Sequence, residues 1–398
     1  MSHDPVVIVS AVRTPMGGFQ GVFANQTAPM LGSVAINAAV ERAGVDPSLI
    51  GEVLMGCVLP AGQGQAPTRQ AALLANVPLS AACTTISKVC GSGMKAAMIG
   101  HDAIVAGSTS IAVVGGMESM TNSPYLLPKA RGGYRLGHGQ LLDHMFLDGL
   151  EDAYSKESRG RLMGTFAEDC ASSYKFTREA QDDYAVQSTK RAQEASNNGS
   201  FNWEIVPVTV SGKKGDVVIE KDEGPFAVNI EKIPTLKPAF KKDGSVTAAN
   251  SSSISDGAAA LVLMKESQAH KLGLQPIAKI VGHVNHAFTP ALFPTAPIGA
   301  IQKLMAKTDW NIDSVDLFEI NEAFAVVAMA AMHDLQLPAE KVNIHGGACA
   351  LGHPIGASGA RIMVTLLGAL KKKALKRGVA TLCIGGGEAT AVALEMYS

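Results

Sequence analysis

An internal repeat constrains the fold of this chain more than any other feature of its sequence. Residues 111–118 read IAVVGGME and residues 381–388 read TLCIGGGE, so in both places an apolar run meets glycines and a glutamate. A glycine-opened stretch of helical character precedes each run, over residues 90–106 and 352–370. Because each helix-and-strand unit has an apolar face to cover, two copies are expected to form two sheets that enclose shared helices.

The pattern elsewhere agrees with this layered arrangement. In the first third of the chain, β-branched runs at 6–10 and 52–59 alternate with helix-like stretches at 28–43 and 68–75. This alternation is typical of an α/β domain. Further strands are predicted at 110–114, 260–264, 315–320 and 379–384. The first and the last of these four are expected to end where their glycines begin.

Between the two copies lies a segment of different character. Residues 119–247 are richer in Gly, Lys, Arg and Asp and are repeatedly broken by proline. Within them, residues 178–197 form a plausible helix with Thr177 as its N-cap. The segment is therefore predicted to be an inserted loop domain, and such insertions commonly shape the ligand site of an α/β core.

Charge and cysteine usage exclude several functions. With 34 basic and 35 acidic side chains, no overall charge favours nucleic acid or an anionic membrane, so any anionic ligand must be bound locally. The six cysteines are scattered, which indicates reduced thiols. Neither the cysteines nor the histidines cluster at metal-ligand spacing, so no metal site is expected. The chain begins without a targeting signal and contains no apolar run of ~20 residues, so a cytoplasmic protein is expected.

Cys90 is the first candidate for chemistry. It lies in the sequence VCGSG, where two glycines would permit a tight turn into the following helix. A cysteine at a helix N-terminus is expected to have a lowered pKa, which suits an acyl-accepting nucleophile. The alternative is a buried cysteine that only packs.

Three further residues have side chains that could take part in catalysis, and each occupies a distinctive position in the sequence. His353, in the loop GHPIGASG, could take a proton from a thiol or donate to an oxyanion, although a lone histidine is usually structural. Cys383 lies just before three glycines, which would leave its thiol open to substrate as an acid/base. The Gly385 amide would also be free to donate a hydrogen bond. The alternative is that Cys383 merely fills the end of a strand. Asn321 begins a predicted helix, and capping that helix is its favoured role from these letters alone.

Taken together, four blocks of this sequence resemble the signature blocks of the thiolase family, in order and over essentially the whole chain. They are VCGSG at Cys90, NEAF at Asn321, GHPIGASG at His353 and CIGGG at Cys383. The resemblance, closest to the acetyl-CoA acetyltransferases, implies a thiolase fold: five α/β/α/β/α layers from two similar halves with an inserted loop domain. The implied divisions are 1–118 and 249–274 for the first half, 119–248 for the insertion and 275–398 for the second half.

The resemblance also implies roles. Cys90, deprotonated by His353, would form an acyl-enzyme, and Cys383 would move the proton on the α-carbon of acetyl-CoA. His353 and a water held by Asn321 would form one oxyanion hole, and the amides of Cys90 and Gly385 the other. The implied reaction is reversible thiolytic cleavage of acetoacetyl-CoA, or condensation of two acetyl-CoA, in a ping-pong sequence.

Substrate contacts follow from the same resemblance. Acyl-CoA and CoA are the expected small-molecule partners, CoA as substrate and product, and no cofactor is implied. Ser252 would contact the pantetheine arm, Met163 and Phe324 would line the acyl end, and Phe293 could shorten the acyl pocket. Leu162 stands where many short-chain relatives have His. The candidates for the CoA phosphates are Lys213 and Lys214.

Three other interpretations stay open from the sequence. A 3-ketoacyl-CoA thiolase of fatty-acid breakdown would have the same catalytic groups and a wider acyl channel. A ketoacyl synthase-like enzyme lacks a second catalytic cysteine, so Cys383 argues against it. A non-catalytic CoA- or lipid-binding relative is expected to have lost a catalytic residue.

A homo-oligomer is expected, a tetramer before a dimer, with residues 123–142 as a contact between dimers.

Overall fold

The structure is a computed structural model that describes residues 4–213 and 215–397. Its strands are β1 (Val6–Arg13), β2 (Gly17–Gly18), β3 (Glu52–Gly56), β4 (Ala82–Ile86), β5 (Ile111–Ser119), β6 (Tyr125–Leu126), β7 (Leu142–Asp143), β8 (Val208–Gly212), β9 (Gly215–Ile219), β10 (Ser255–Lys265), β11 (Ala278–Ala287), β12 (Leu317–Ile320), β13 (Arg377–Ile384) and β14 (Glu388–Met396). Its α-helices are α1 (Ala28–Ala43), α2 (Pro67–Leu74), α3 (Ser92–Ala106), α4 (Met163–Tyr174), α5 (Arg178–Asn197), α6 (Gly224–Ala227), α7 (Glu266–Lys271), α8 (Ala296–Thr308), α9 (Ala325–Leu335), α10 (Ala348–Leu351) and α11 (Ser358–Lys373).

The sheet repeats one strand order twice. In the first half the order is β4-β3-β5-β10-β1, with β3 parallel to β4 and β5, and β10 antiparallel to β5 and β1. In the second half β12-β13-β14-β11 follow with the same directions, and Val342 bridges Phe318 in parallel at the position that corresponds to β4. The predicted duplication is therefore confirmed.

The two halves meet edge to edge, and helices fill the space between them. Strands β1 and β11 are antiparallel neighbours through the pairs Val7–Lys279 and Ile8–Ala278. Helices α1 and α2 pack on the outer face of the first half, and α8 and α9 on the outer face of the second. Helices α3 and α11 lie between the halves and share one core with strands of both. These are the five predicted layers.

Helix α11 shows why the middle layer forms. Its residues from Ser358 to Leu370 are all buried, because it is apolar nearly all round and small residues let neighbouring elements approach. The helix was predicted to start near Gly352 but begins only at Ser358. The reason is local, since Gly352 has a positive φ of 98° and Pro354 disfavours helical backbone at His353.

Strand β5 was predicted to end at its glycines but continues through them to Ser119. A Cβ on Gly116 would lie 2.1 Å from the Gly356 carbonyl oxygen. Gly116 therefore lets the loop before α11 approach the strand. Strand β3 is shorter than predicted and ends at Gly56.

The insertion occupies the place of a hairpin. Strands β13 and β14 are joined by Gly385–Gly387, whereas their counterparts β5 and β10 are joined by residues 120–254. Within that segment Thr177 caps α5 as predicted, its hydroxyl accepting from the Ala180 N–H at 3.1 Å. The domain boundaries at 118, 248 and 274 stay a prediction. In the part of the chain that the structure describes, no helix is long and apolar enough to cross a bilayer.

Candidate active site

Cys90 and His353 line the same internal cavity, which lies at the insertion end of the core. Its volume is about 70 Å³, room for a small acyl group. Most of the predicted site residues contribute to its wall: Cys90, Ser252, Met163, Phe293, Phe324, His353 and Gly385. Asn321 and Cys383 do not line it.

A second cavity of about 450 Å³ continues from the first. The two share several lining residues, which are Leu150, Met163, Ser252, Ser253, Ile254 and Phe324. Its wall is mainly apolar and includes Leu162 and Phe240. Together the cavities form a narrow apolar path that ends at Cys90.

Ser252 reaches this path through local pairing of two segments. The Ser252 N–H donates to the Ala323 carbonyl at 2.9 Å, and the Ala325 N–H donates to the Asn250 carbonyl at 2.8 Å. Phe324 lies between these bonds and packs edge-to-face against Phe240. The pairing therefore holds Ser252 and Phe324 side by side, where the two cavities meet.

Cys90 sits on a strained turn just before α3. The strain is at Val89, whose φ of 46° is an unfavourable value for a β-branched residue. The glycines that were expected to make this turn serve another purpose. A Cβ on Gly91 would lie 2.4 Å from Ile384 Cδ1, and one on Gly93 would lie 2.9 Å from the Ala360 nitrogen.

Close approach of the two middle helices brings the cysteine and the histidine together. Just as Gly93 meets α11, a Cβ on Gly359 would lie 2.4 Å from the Met94 nitrogen of α3. The two glycines occupy matching places in GSG and ASG at the starts of the two helices. Each helix therefore presents its preceding loop, with Cys90 or His353, to one cavity.

The Cys90 thiol is neutral in the free site. Burial raises the pKa of Cys90 to about 11, although the N–H groups of Cys90 and Gly385 donate to the sulfur and oppose this shift. The expected lowering of the Cys90 pKa is therefore wrong, because desolvation outweighs the helix terminus. The thiol needs a base to become a nucleophile.

His353 is placed as that base. Burial, with the charge of Arg361 in second place, lowers the pKa of His353 to about 3, so the imidazole is neutral. Its Nδ1 lies 2.5 Å from the Ser358 hydroxyl oxygen, and that hydroxyl donates to the Pro354 carbonyl at 2.9 Å. Nδ1 must therefore carry the proton and donate. Nε2 is left as a buried lone pair without a hydrogen-bond partner among residues 4–213 and 215–397.

Asn321 is buried next to Arg361 outside the cavity wall. Its side-chain oxygen accepts from the Arg361 guanidinium at 3.4 Å, which leaves the amide Nδ2 as a buried donor with no partner within the described chain. The helix-capping interpretation is wrong, because α9 begins only at Ala325 and Phe324 occupies the cap position. An unpaired buried donor of this kind can hold a water or an oxyanion.

Cys383 is entirely buried near the end of β13. Burial raises the pKa of its thiol far above the ordinary value, and a smaller contribution from Cys90 shows that the two sulfurs are close. The structure does not show the expected open approach to this thiol, because Cys383 is fully buried and does not line the cavity. Gly385, two residues on, does reach the cavity, where it faces the Met163 sulfur.

Several contacts had no signal in the sequence. The Tyr154 hydroxyl donates to the Gly385 carbonyl at 3.4 Å, and its ring packs on Gly386. The remaining lining of the inner cavity comes from neighbours of the predicted residues, which are Val89, Ser253, Ile254, Ala323 and Ile355, and from Met120, Gly149 and Leu150 of the insertion. Only the last three are distant in sequence from every predicted residue, and chain folding brings them to this wall.

Lys213, one of the two predicted phosphate contacts, lines neither cavity. Lys213 is exposed at the tip of the β8–β9 hairpin, whose Val208 packs into the outer core of the first half. Lys214 lies outside the described residues. Two other exposed lysines, Lys241 and Lys242, directly follow Phe240 in the wall of the outer cavity.

A duplicated α/β core with a cysteine and a neutral histidine in one cavity defines a class of acyl-transferring enzymes. Residues 6–267 match the family description "Thiolase, N-terminal domain", and residues 274–396 match "Thiolase, C-terminal domain". The chain belongs to the thiolase family, as its signature blocks predicted.

Full-length relatives agree with this assignment. Acetyl-CoA acetyltransferase 2 of Arabidopsis thaliana is 52% identical over 394 residues, which are 98% of this chain and 97% of the relative. The crystal structure of the Bacillus anthracis acetyl-CoA acetyltransferase superposes with a TM-score of 0.95 at 42% identity, covering 99% of both chains. The structure of Acat5 thiolase from Ascaris suum in complex with coenzyme A gives 0.92 at 43% identity, over 99% of this chain and all of that one.

Proposed function

We propose that this thiolase is an acetyl-CoA acetyltransferase that works through an acetyl group on Cys90. The sequence predicted this activity, and relatives of that name along the full length confirm it. The observation that carries the mechanism is the pairing of a neutral Cys90 thiol with the free Nε2 of His353 in one small cavity.

In the first half-reaction His353 takes the proton from Cys90. The thiolate attacks the 3-keto carbon of acetoacetyl-CoA, and the bond between C2 and C3 breaks. The acetyl group stays on Cys90, and the electron pair goes to C2 of the leaving acetyl-CoA. Cys383 gives its proton to that carbon, so one acetyl-CoA is released.

In the second half-reaction coenzyme A removes the acetyl group. The CoA thiol gives its proton to the Cys383 thiolate and attacks the thioester carbonyl. Cys90 leaves as a thiolate and recovers its proton from His353, which returns every catalytic group to its starting state. Run backwards, the same steps join two acetyl-CoA, with Cys383 as the base that removes the α-proton.

Two sets of donors stabilise the oxygens that gain charge. The amides of Cys90 and Gly385 already donate to the sulfur, so they face the position of the acyl oxygen on that sulfur. A water on the unpaired Asn321 amide, together with protonated His353, serves the thioester oxygen of the acetyl-CoA enolate. Preformed donors need no rearrangement when the charge develops.

The apolar path holds the pantetheine arm of CoA, and Ser252, at the junction of the two cavities, contacts it. The coenzyme A complex of the Ascaris suum thiolase supports this role. Coenzyme A is substrate and product.

Phe293 favours an acetyl-sized acyl group. It is buried in a 3₁₀-helix, Pro290–Thr295, and it packs edge-to-face against Phe166 while lining the inner cavity. A rigid aromatic pair limits the space beyond Cys90. A preference for longer 3-ketoacyl-CoA is the alternative that this contact opposes.

A homotetramer is the proposed assembly. The hairpin of β6 and β7 and its connection expose several large apolar side chains, which are Tyr125, Leu127, Tyr134, Leu136 and Leu141. Exposed apolar patches of this kind are typical of protein–protein contacts. The cytoplasmic location stays a prediction.

The proposal is tested by comparing the rates of thiolysis of acetoacetyl-CoA and of a longer 3-ketoacyl-CoA. The rates are measured for the wild type, for Cys90→Ser and Cys383→Ser, and for the control Cys83→Ser. We expect the wild type and Cys83→Ser to prefer acetoacetyl-CoA and the other two variants to lose activity. Mass spectrometry should find an acetyl group on Cys90. Preference for the longer chain would indicate the fatty-acid class, and inactivity of the wild type on both substrates would overturn the proposed enzyme activity.

A further inference from the structure

His101 and Asp102 of α3 and His283 of β11 bring three potential metal ligands together, away from the cavity. His283 Nε2 lies 2.9 Å from the Asp102 carboxylate oxygen Oδ1 and 3.2 Å from His101 Nδ1. His101 Nδ1 lies 3.0 Å from the same carboxylate oxygen. The three atoms form a nearly equilateral triangle.

Hydrogen bonds cannot satisfy all three contacts. If both imidazole nitrogens carry protons and donate to Asp102, the contact between the nitrogens has no proton to share. If either nitrogen is unprotonated, it faces the carboxylate as a second acceptor. A cation would be attracted by all three atoms at once.

The dimensions of the triangle suit a small transition metal. Ligand atoms ~2.0–2.1 Å from a tetrahedral zinc ion lie ~3.3 Å apart, close to the observed separations. The ion would lie above the plane of the three atoms. The imidazole rings cross nearly at right angles, with centroids 4.8 Å apart, so the rings do not block each other.

The two histidines of the site are largely buried, whereas the aspartate is open to solvent. The His283 and His101 side chains are 10% and 18% exposed, whereas the Asp102 side chain is 60% exposed. Solvent can therefore reach the carboxylate and supply the remaining ligand. The Lys307 ammonium, which donates to the His283 carbonyl at 2.9 Å, is the nearby positive charge that opposes a cation.

We propose that His101, Asp102 and His283 bind a divalent transition metal of the zinc type, with water as the fourth ligand. The metal would join helix α3 of the first half to strand β11 of the second half. Because its ligands come from both halves, the metal acts as a structural clamp between them. It takes no part in acyl transfer.

The chain contains a matched control. His333 and Asp334 repeat the same His-Asp pair, with Nδ1 2.8 Å from the carboxylate, but Asp334 accepts from the Tyr174 hydroxyl. Within the described residues no second imidazole joins that pair. His333→Gln should therefore leave metal binding unchanged.

The test uses the full chain, dialysed against a chelator, with Zn²⁺ in titration calorimetry and Co²⁺ in absorption spectroscopy. We expect one equivalent per chain with tetrahedral cobalt bands and no sulfur-to-cobalt charge-transfer band. His283→Gln should weaken binding at least about tenfold and abolish the rise in thermal midpoint that Zn²⁺ gives the wild type.

Circular dichroism checks that His283→Gln is folded, and the exposed Asp102→Asn is a second variant if it is not. Equal binding by wild type and folded His283→Gln overturns the proposal. So does a charge-transfer band, which would locate the metal on cysteine, or an absence of binding by the wild type.

Discussion

The reaction centre is assembled from two neutral groups because the protein shields both from water, His353 as a buried residue and Cys90 as a partly buried one. A thiolate and an imidazolium would each lose hydration in the apolar cavity, so burial moves the pKa of Cys90 up, to about 11, and that of His353 down, to about 3. Acyl transfer therefore begins with a proton transfer from Cys90 to His353 and not from a preformed thiolate.

This pairing predicts an unusual pH dependence for alkylation of Cys90. Only the thiolate reacts, so the rate constant with iodoacetamide should rise about tenfold per pH unit from about pH 7 to about pH 10. An ordinary thiol levels off above a pKa of about 8.5. Peptide mass spectrometry of Cys90, with loss of activity in parallel, gives the rate. A plateau below about pH 8 would show that the thiolate is preformed.

Ser358 holds the reactive form of His353. Its hydroxyl oxygen accepts a hydrogen bond from the Nδ1–H group, so Ser358→Ala leaves that N–H unpaired. The variant therefore allows the tautomer with a proton on Nε2, which cannot accept a proton from Cys90. We expect kcat to fall about 10–100-fold with little change in KM, as for other orienting contacts to histidine. Ser358→Thr retains a hydroxyl and should recover part of the rate. Equal kcat in wild type and Ser358→Ala would show that this bond does not set the tautomer.

Phe293 should limit acyl length. Phe293→Ala removes the ring from the end of the inner cavity, so the ratio of kcat/KM for a six-carbon 3-ketoacyl-CoA over acetoacetyl-CoA should rise about tenfold or more. Leu292→Ala is the matched control, because Leu292 lies next to it but is half exposed and does not line the cavity. An unchanged ratio would place the length limit elsewhere.

At the scale of elements, local signals predicted the scaffold better than the site. Helices α1 and α5 have the predicted bounds, because threonine caps and turn residues beside them act within a few residues. The start of α11 was missed, because the positive φ of Gly352 and the restriction that Pro354 places on His353 delay it to Ser358. Family resemblance supplied Cys90 and His353, but their neutral states depend on burial that only the folded chain creates.

The loop after Phe240 carries the charge expected to bind the CoA phosphates. Lys241 and Lys242 are exposed beside the outer cavity, so changing both to Glu should raise KM for CoA about tenfold with kcat nearly constant. Added salt should weaken wild-type binding in the same direction. Lys213→Glu, on the β8–β9 hairpin, is the control, because Lys213 does not line either cavity. If only Lys213→Glu raised KM, the original prediction for that hairpin would be right.

At the scale of the whole molecule, duplication explains the position of the site. The two copies place α3 and α11 side by side, and Ser92 and Ser358 hold the preceding loops in similar ways. The Ser92 hydroxyl donates to the Val89 carbonyl at 2.7 Å, and the Ser358 hydroxyl donates to the Pro354 carbonyl. The loop before α3 carries the nucleophile Cys90, and the loop before α11 carries the base His353. The insertion, where the second copy has only a hairpin, closes the cavity around them.

The same insertion should determine assembly. Leu136 is 98% exposed in the connection between β6 and β7, so Leu136→Asp should remove apolar contact between dimers and convert a tetramer to a dimer. Light scattering after size-exclusion chromatography measures the mass. Val217→Asp, on the exposed β9 strand, should leave it unchanged. A wild-type dimer would contradict the tetramer, and a tetrameric Leu136→Asp would move the contact to another surface.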